Sequence, residues 1–485
     1  MEPLFELPLV LPTRGSHQIL RALHQQLRAA IVDGRLQPGL RLPSTRALAS
    51  SQGISRNTAV AAYDLLSSEG YVSTRKGSGC YVAQALSRPP RGRMKAGNTV
   101  VAATRLSSFW RGRRPRRRGV DDSLAFHFRC GAPETRLFPY DIWRRLSNRG
   151  LRSLMRSEAR YDPQGLPELR AAIAKHVSVS RAVACRTEDV LVTNGAQQAF
   201  DLLARVLASG RRTTVAIENP SYPPMRAAFE AAGAKLSPIT VDAEGMLVER
   251  LPAQARVVCV TPSHQFPLGT AMSMGRRMEL LEFARTTGAV VIEDDYDCDF
   301  RFDGRPLDAL QTIDRHESVF YVGTFSKSLF SEVRLGFIVA PSWALEALVA
   351  AKQDCDLCSP FLMQHALAAF ISEGHLARHI RKMRSVYARR RQQLIEGLQR
   401  DFARWLRPIP SFAGLHIAAL LLHSEDAEEI VQRAREQGVG VASVGRYCVG
   451  KAHIQGLTFG YGTIDEHAIA RGLSALRRVW QPARR

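Results

Sequence analysis

Lysine is scarce in this chain: of 67 basic residues, 8 are lysine and 59 arginine. A guanidinium stays protonated and cannot condense with a carbonyl, so nearly all of the positive charge is barred from amine chemistry. Long apolar runs are missing as well. No stretch approaches bilayer length, and Met1-Glu-Pro-Leu-Phe-Glu6 shows no basic segment followed by an apolar one. The expectation is a soluble cytoplasmic protein without a membrane partner. Cysteine is scattered: the eight residues (80, 130, 185, 259, 298, 355, 358, 448) read as reduced thiols, not a disulfide framework. Cys355-Asp-Leu-Cys358 has metal or redox spacing, but with no second pair and no histidine close behind it no metal site is expected.

Acid is absent from one long stretch. Between Arg88 and Arg118 stand eleven basic residues and no Asp or Glu, half of the formal net charge of +22. Residues 1–87 hold nine basic against five acidic residues. An arginine-rich background raises charge everywhere but does not empty one segment of acids. Nucleic acid is the favoured partner, ahead of anionic lipid, for which no amphipathic anchor is present.

What is there divides into parts. At 485 residues and 45% hydrophobic, the chain exceeds one ordinary core. Three segments are expected: a head over 1–85, a basic flexible linker over 86–122 and an α/β body over 123–485. In the head, Leu20, Leu23, Leu27 and Ile31 recur at helical spacing until Asp33-Gly34. A second helix starts at Leu42-Pro-Ser-Thr with Ser44 as cap and breaks at Gln52-Gly53. A third opens at Ser55-Arg-Asn-Thr58 and stops at Gly70, burying Ala59, Tyr63 and Leu66. Tyr71-Val-Ser-Thr74 and Cys80-Tyr-Val82 flank Arg75-Lys-Gly-Ser-Gly79 as a hairpin with a basic tip.

That order is the order of a winged helix-turn-helix. The third helix would present Ser55, Arg56, Asn57 and Thr58 to the major groove of double-stranded DNA, and Lys76-Gly77 would reach the adjacent backbone. A small helical protein-interaction module is the alternative, in which those polar residues are ordinary caps. The segments Leu42-Pro-Ser-Thr-Arg46, Ala47-Leu-Ala49, Ser55-Arg-Asn-Thr58, Ala62-Tyr-Asp-Leu-Leu66 and Glu69-Gly-Tyr71 through Gly79 resemble the GntR-type winged helix. The resemblance implies operator binding, usually by a dimer, with contacts at Arg46, Arg56, Thr58 and Gly77. The linker, with Arg88-Pro-Pro-Arg-Gly-Arg93 and Arg111 through Gly119, has no apolar face and reads as a tether.

In the body, short β-rich runs alternate with helical stretches: Val190–Thr193, Thr214–Ile217, Val257–Val260, Val290–Ile292, Val319–Val322 and Phe337–Ala340. A mostly parallel sheet follows, with ligands expected beyond its carboxyl ends. Thr193-Asn-Gly-Ala-Gln-Gln198 follows one strand and opens a helix, as a phosphate cradle does. Pro220-Ser-Tyr222 and Glu293-Asp-Asp-Tyr296 follow two others. Lys327, in Tyr321-Val-Gly-Thr-Phe-Ser-Lys-Ser-Leu329, follows a fourth, with Arg334 seven residues on. A reactive amine, a buried carboxylate, an aromatic plate and a phosphate cradle together suit pyridoxal 5'-phosphate.

This order, with Tyr161-Asp-Pro-Gln-Gly165 and Leu169-Arg170, resembles the fold-type I aminotransferases over essentially all of 123–485. The resemblance implies that Lys327 forms a Schiff base with the cofactor and Asp294 pairs with its ring nitrogen. Tyr296 would touch the ring hydroxyl and Tyr222 stack on the ring, while Ala196, Gln197, Thr324 and Arg334 hold the phosphate. A GntR-type head on this body is similar to the MocR-type regulators, and Thr261-Pro-Ser-His-Gln-Phe-Pro-Leu-Gly269 is close to a signature of that group. It implies a homodimeric transcription regulator that senses an amine or amino acid effector as an external aldimine. The alternative is a working aminotransferase with an accessory DNA-binding head. Two departures bear on that choice. Phe266 stands where the family commonly has an asparagine donor, with His264 or Gln265 as substitutes. Thr458 stands where it has the carboxylate-binding arginine, with Arg226 or Arg446 as substitutes.

Overall fold

The computed structural model describes residues 8–12, 18–75, 79–83, 105–107, 109–111, 113, 123–155, 162–208, 210–297, 299–302, 308–451 and 454–480. The chain divides into two compact units, Met1–Pro115 and Arg116–Arg485.

In the first unit, helix α1 (Ile19–Val32) buries Leu23, Leu27, Ala30 and Ile31 along one stripe. Helix α2 (Thr45–Gln52) is capped by Ser44, whose Oγ accepts the Ala47 N–H at 3.1 Å, and Gly53 ends it with φ +63°. Helix α3 (Arg56–Ser68) is capped in the same way by Ser55, whose Oγ accepts the Thr58 N–H at 3.0 Å. Each cap satisfies one backbone donor that the first turn would leave unpaired. Tyr63 donates its hydroxyl to the Pro43 carbonyl at 3.0 Å, tying α3 to the turn before α2. Strands β1 (Val72–Arg75) and β2 (Gly79–Val82) pair antiparallel, and Arg41 bridges to Tyr81 on the far side of β2. Helix order and hairpin therefore match the sequence expectation. Lys76 and Gly77 at the hairpin tip, Tyr161 and most of the expected linker lie outside the described residues.

The second unit carries β3 (Phe126–His127), β4 (Val190–Thr193), β5 (Thr214–Asn219), β6 (Lys235–Asp242), β7 (Gly245–Met246), β8 (Ala255–Val260), β9 (Val290–Asp295), β10 (Val319–Thr324) and β11 (Gly336–Val339). Further along come β12 (Leu406–Pro408), β13 (His416–Leu421), β14 (Val439–Gly440), β15 (Ala442–Ser443) and β16 (Gly456–Gly460). An eight-stranded sheet has the order β4-β11-β10-β9-β8-β5-β6-β7. From β10 to β6 each neighbour is parallel.

Phe337–Ala340, grouped by sequence with the parallel runs, forms a strand that is antiparallel to both of its neighbours. The reason is length. β10 ends at Thr324 and β11 starts at Gly336, too short a span for a crossover helix, so the chain can only turn back. β6 was not expected at all, because Lys235-Leu-Ser-Pro238 breaks the apolar pattern. A smaller four-stranded sheet, β12-β13-β16-β15, and the pair β14-β3 lie beyond the long helix His375–Phe402. Among the described residues no helix is long and apolar enough to cross a membrane.

Candidate functional site

The carboxyl ends of the parallel strands gather the polar groups. Asp294, opposite Val322 in the β9–β10 ladder, is buried, and its Oδ1 has no hydrogen-bond partner. Burial first, then Asp295 and Asp297, push this carboxyl well above the ordinary range, while Lys327 acts in the opposite sense. Lys327 itself is half-buried and donates from Nζ to the Gly131 carbonyl at 2.5 Å. Gly131 has φ +68°, and a Cβ there would stand 3.1 Å from Nζ.

Arg334, with φ +47°, donates from Nη2 to the Asn194 carbonyl at 3.0 Å. A Cβ on the next residue, Gly195, would stand 2.9 Å from that nitrogen. Gly195 (φ +81°) precedes the helix Ala196–Leu207, whose first turn has no side-chain cap. A guanidinium therefore lies against a helix start with open N–H groups, the arrangement that favours an anion. Thr324 donates to Ser326 Oγ and accepts the Ser326 N–H, both at 3.2 Å, which fixes the turn into Lys327. Gln197 reaches elsewhere, donating to the Pro224 carbonyl at 3.1 Å.

Tyr222 meets Phe266 edge to face at 5.5 Å. Phe266 is the hub of an aromatic cluster, also touching Tyr296 at 5.9 Å, His416 at 5.6 Å and Tyr447 at 4.9 Å. Tyr296 Oη stands 2.9 Å from His264 Nδ1, and burial followed by Asp297 raises the phenol well above its ordinary value. Of the two substitutes considered for the missing amide, Gln265 is committed, donating to the carbonyls of Pro220 at 2.8 Å and Phe266 at 2.9 Å. His264 sits at Tyr296 instead.

Thr458 is fully buried in β16 and donates to the Ala442 carbonyl at 3.1 Å. Burial raises the Cys130 thiol to about 11, with Thr458, Arg446 and Lys327 acting against that rise, so these groups share one neighbourhood. Arg446 is exposed and lies 5.6 Å from the Tyr447 ring. Arg226 donates to the Tyr447 carbonyl at 2.8 Å. Sequence reasoning missed Cys130-Gly131, the Phe266 hub and the His264–Asp297 contact.

On the first unit, Arg46, Ser55, Arg56 and Asn57 are exposed at the starts of α2 and α3, and Thr58 is half-buried. Thr58 Oγ1 is 2.8 Å from Ser55 Oγ, so both hydroxyls take part in the cap. Arg41 and Arg75, which the sequence reading did not single out, are exposed beside the hairpin. Arg75 stacks at 4.9 Å on Tyr81.

Fold and site define a DNA-binding head of helix-turn-helix type and an aminotransferase-like body of the class that depends on pyridoxal phosphate. The family model for aminotransferase class I and II matches residues 125–455, and that for bacterial regulatory proteins of the gntR family matches 20–82. A probable rhizopine catabolism regulatory protein, MocR, of Rhizobium meliloti is 38% identical over 97% of this chain and 96% of its own length. A pyridoxine biosynthesis transcriptional regulator, PdxR, of Corynebacterium glutamicum is 30% identical over 96% of the chain and 97% of its own. Among solved structures, the Thermus thermophilus α-aminoadipate aminotransferase LysN, complexed with N-(5'-phosphopyridoxyl)-L-leucine, matches with TM-score 0.67 and 29% identity, covering 74% of this chain and 92% of that one. The chain belongs to the MocR-type transcription regulators of the GntR family.

Proposed function

We propose that this regulator holds pyridoxal 5'-phosphate on Lys327 and reads an effector that carries a primary amine. The observation that carries the reading is the unpartnered, buried Oδ1 of Asp294, opposed by the charge of Lys327. A carboxylate buried without a donor is costly, and a protonated ring nitrogen is the donor it lacks. The group supplies an electrophilic carbon and an electron-accepting ring when bound. Arg334, Thr324 and the N–H groups from Ala196 and Gln197 would hold its phosphate, Tyr222 would cover the ring and Tyr296 would meet its ring hydroxyl. Gln197 contributes through its backbone, since its side chain is bound to Pro224.

Were an effector amine to displace Lys327, the Gly131 carbonyl would be at hand to hold its Nζ, as it does in the structure. That local change biases the DNA-binding heads of a homodimer between two arrangements. Domains run over 1–85, 86–122 and 123–485, and the protein acts on operator DNA in the bacterial cytoplasm. Efficient transamination is disfavoured by Phe266 and by Thr458, whose hydroxyl is already used within the sheet.

The test is chemical. Wild-type protein saturated with cofactor and treated with borohydride should carry the reduced adduct on the peptide around Lys327, and its operator affinity should change with the right amine. An unmodified peptide overturns the cofactor assignment. Steady turnover of an amino donor with a 2-oxo acid, unaffected by removing residues 1–85, favours the aminotransferase alternative.

A further inference from the structure

We propose that Asp356 is the positioning residue of the anion cradle. Acting through Asn194 and Gln198, it sets the carbonyl that aims Arg334 and the turn that opens the helix Ala196–Leu207. The proposal rests on the cofactor reading for the identity of the anion, while the hydrogen bonds that carry it belong to the protein alone.

Gln198 fixes the direction of the network. Its Oε1 lies 2.8 Å from the backbone N–H of Asn194, which can only donate. Its Nε2 is therefore the end that reaches Asp356 Oδ2, at 2.7 Å, and the carboxylate accepts. Asn194 Nδ2 donates to the same oxygen at 2.6 Å. Lys352, one turn earlier on the helix Ser342–Asp356, gives its ammonium to Oδ1. Three donors thus converge on one carboxylate: from its own helix, from the residue after β4, and from the first turn of the helix Ala196–Leu207.

Asn194 carries this restraint to the cradle. Its side chain is tied to Asp356 and its N–H to Gln198, while its carbonyl accepts Arg334 Nη2 at 3.0 Å. The next residues have little room to move. At Gly336 in β11 a Cβ would fall 2.9 Å from the Gly195 carbonyl carbon and 3.0 Å from the Ala196 nitrogen. The turn is packed against β11 at Gly195 and hooked to Asp356 at Asn194. Release of the hook would let the guanidinium and the helix start drift apart from their shared anion.

An acid is an unexpected residue at this place. Asp356 ends its helix, where the macrodipole favours a cation, and it is one residue removed from a guanidinium meant for an anion. Lys352 answers both objections: its side chain is fully buried, and its charge cancels that of the carboxylate. What remains is a neutral pair that offers acceptors to two amides without repelling a phosphate. Asparagine could not replace the acid, because its NH2 would set a donor against a donor. Leu357 follows with φ +64°, a backbone setting that a residue with a Cβ rarely adopts, and the Cys358 N–H closes on the Asp356 carbonyl at 2.7 Å. That turn ends the helix at the carboxylate.

The test uses the full chain with pyridoxal phosphate, pyridoxal and inorganic phosphate as probes. Asp356→Leu combined with Lys352→Met removes the pair without stranding a buried charge, and Asp356→Asn is the second variant. Each should bind pyridoxal phosphate about tenfold more weakly, with pyridoxal bound as in wild type. Equal losses for both aldehydes, or no loss for either, overturn the positioning role. In the cofactor-free chain, inorganic phosphate should show a broadened phosphorus NMR line that narrows in Arg334→Ala and, to a similar degree, in both Asp356 variants. A line that narrows in Arg334→Ala but not in the Asp356 variants overturns the proposal, as does a wild type that broadens no phosphate. Wild type that holds phosphate through Arg334 and Asp356 yet takes up neither aldehyde defeats the cofactor reading alone.

Discussion

Lys327 and Gly131, 196 positions apart in the chain, meet through one hydrogen bond of 2.5 Å from ammonium to carbonyl. The glycine is required twice, by its positive φ and by the 3.1 Å that a Cβ would leave to the amine. Gly131→Ala should destabilise the loop by ~1–2 kcal/mol and slow cofactor loading. The check is the rate at which visible absorbance appears on mixing with pyridoxal phosphate. Loading at the wild-type rate counts against Gly131 as the resting place of the amine.

At the other end of the site, Gly195→Ala should drive a methyl group into Arg334, and Arg334→Ala should remove the guanidinium altogether. Both should weaken cofactor binding, Arg334→Ala by ~1.5–3 kcal/mol, the scale of a charge-assisted hydrogen bond. Equilibrium dialysis against pyridoxal phosphate measures it. Pyridoxal, which has no phosphate, should bind both variants as it binds wild type.

Arg56 is exposed at the first turn of α3. Arg56→Ala should cost ~1–3 kcal/mol in operator binding if it reads a base edge, and should lower the salt slope by about one if it meets a phosphate. Titrations of labelled upstream DNA at several salt concentrations separate the two. Arg41→Ala and Arg75→Ala, beside the hairpin, should lower the slope without changing sequence preference.

Arg446 lies over Tyr447, at the edge of the neighbourhood formed by Cys130 and Thr458. Arg446→Ala should weaken the spectral response to amines that carry a carboxylate by about tenfold, the equivalent of ~1.4 kcal/mol. Simple amines should respond as before. Equal losses for both kinds of amine would remove Arg446 from carboxylate recognition.

Glu134 bears on acid stability. Burial works to raise its carboxyl, but hydrogen bonds from Arg136 and Arg390 outweigh it and set the value to about 2, against an ordinary 4.5. A depressed folded value adds stability at neutral pH, and that contribution is lost as pH falls from the ordinary value toward the folded one. Glu134→Gln should therefore narrow the gap in thermal midpoint between pH ~7 and ~3 relative to wild type. A gap of unchanged size would mean that the ion pairs contribute nothing net.

Much of this was legible in the chain because each site residue follows a short β-rich run. Val290–Ile292 and Val319–Val322 announce strands by β-branched and aromatic residues, and Asp294 and Lys327 are then placed by their ends. Ser44 and Ser55 announce helix starts by chemistry that acts within three residues. What was not legible depends on contacts distant in sequence. Lys235-Leu-Ser-Pro238 pairs as a strand only because β5 lies beside it. The direction of β11 follows from the length of a connection, not from its composition. The partners of His264 come from positions 296, 297 and 411, and no local pattern joins them.

The reversal at β11 links two functions that could have stood apart. A single out-and-back excursion, leaving at Thr324 and returning at Gly336, carries Lys327 on its outward limb and Arg334 on its return. Both feet of that arch are held in the sheet, so the amine and the guanidinium stand on one short span of backbone whose two ends are fixed.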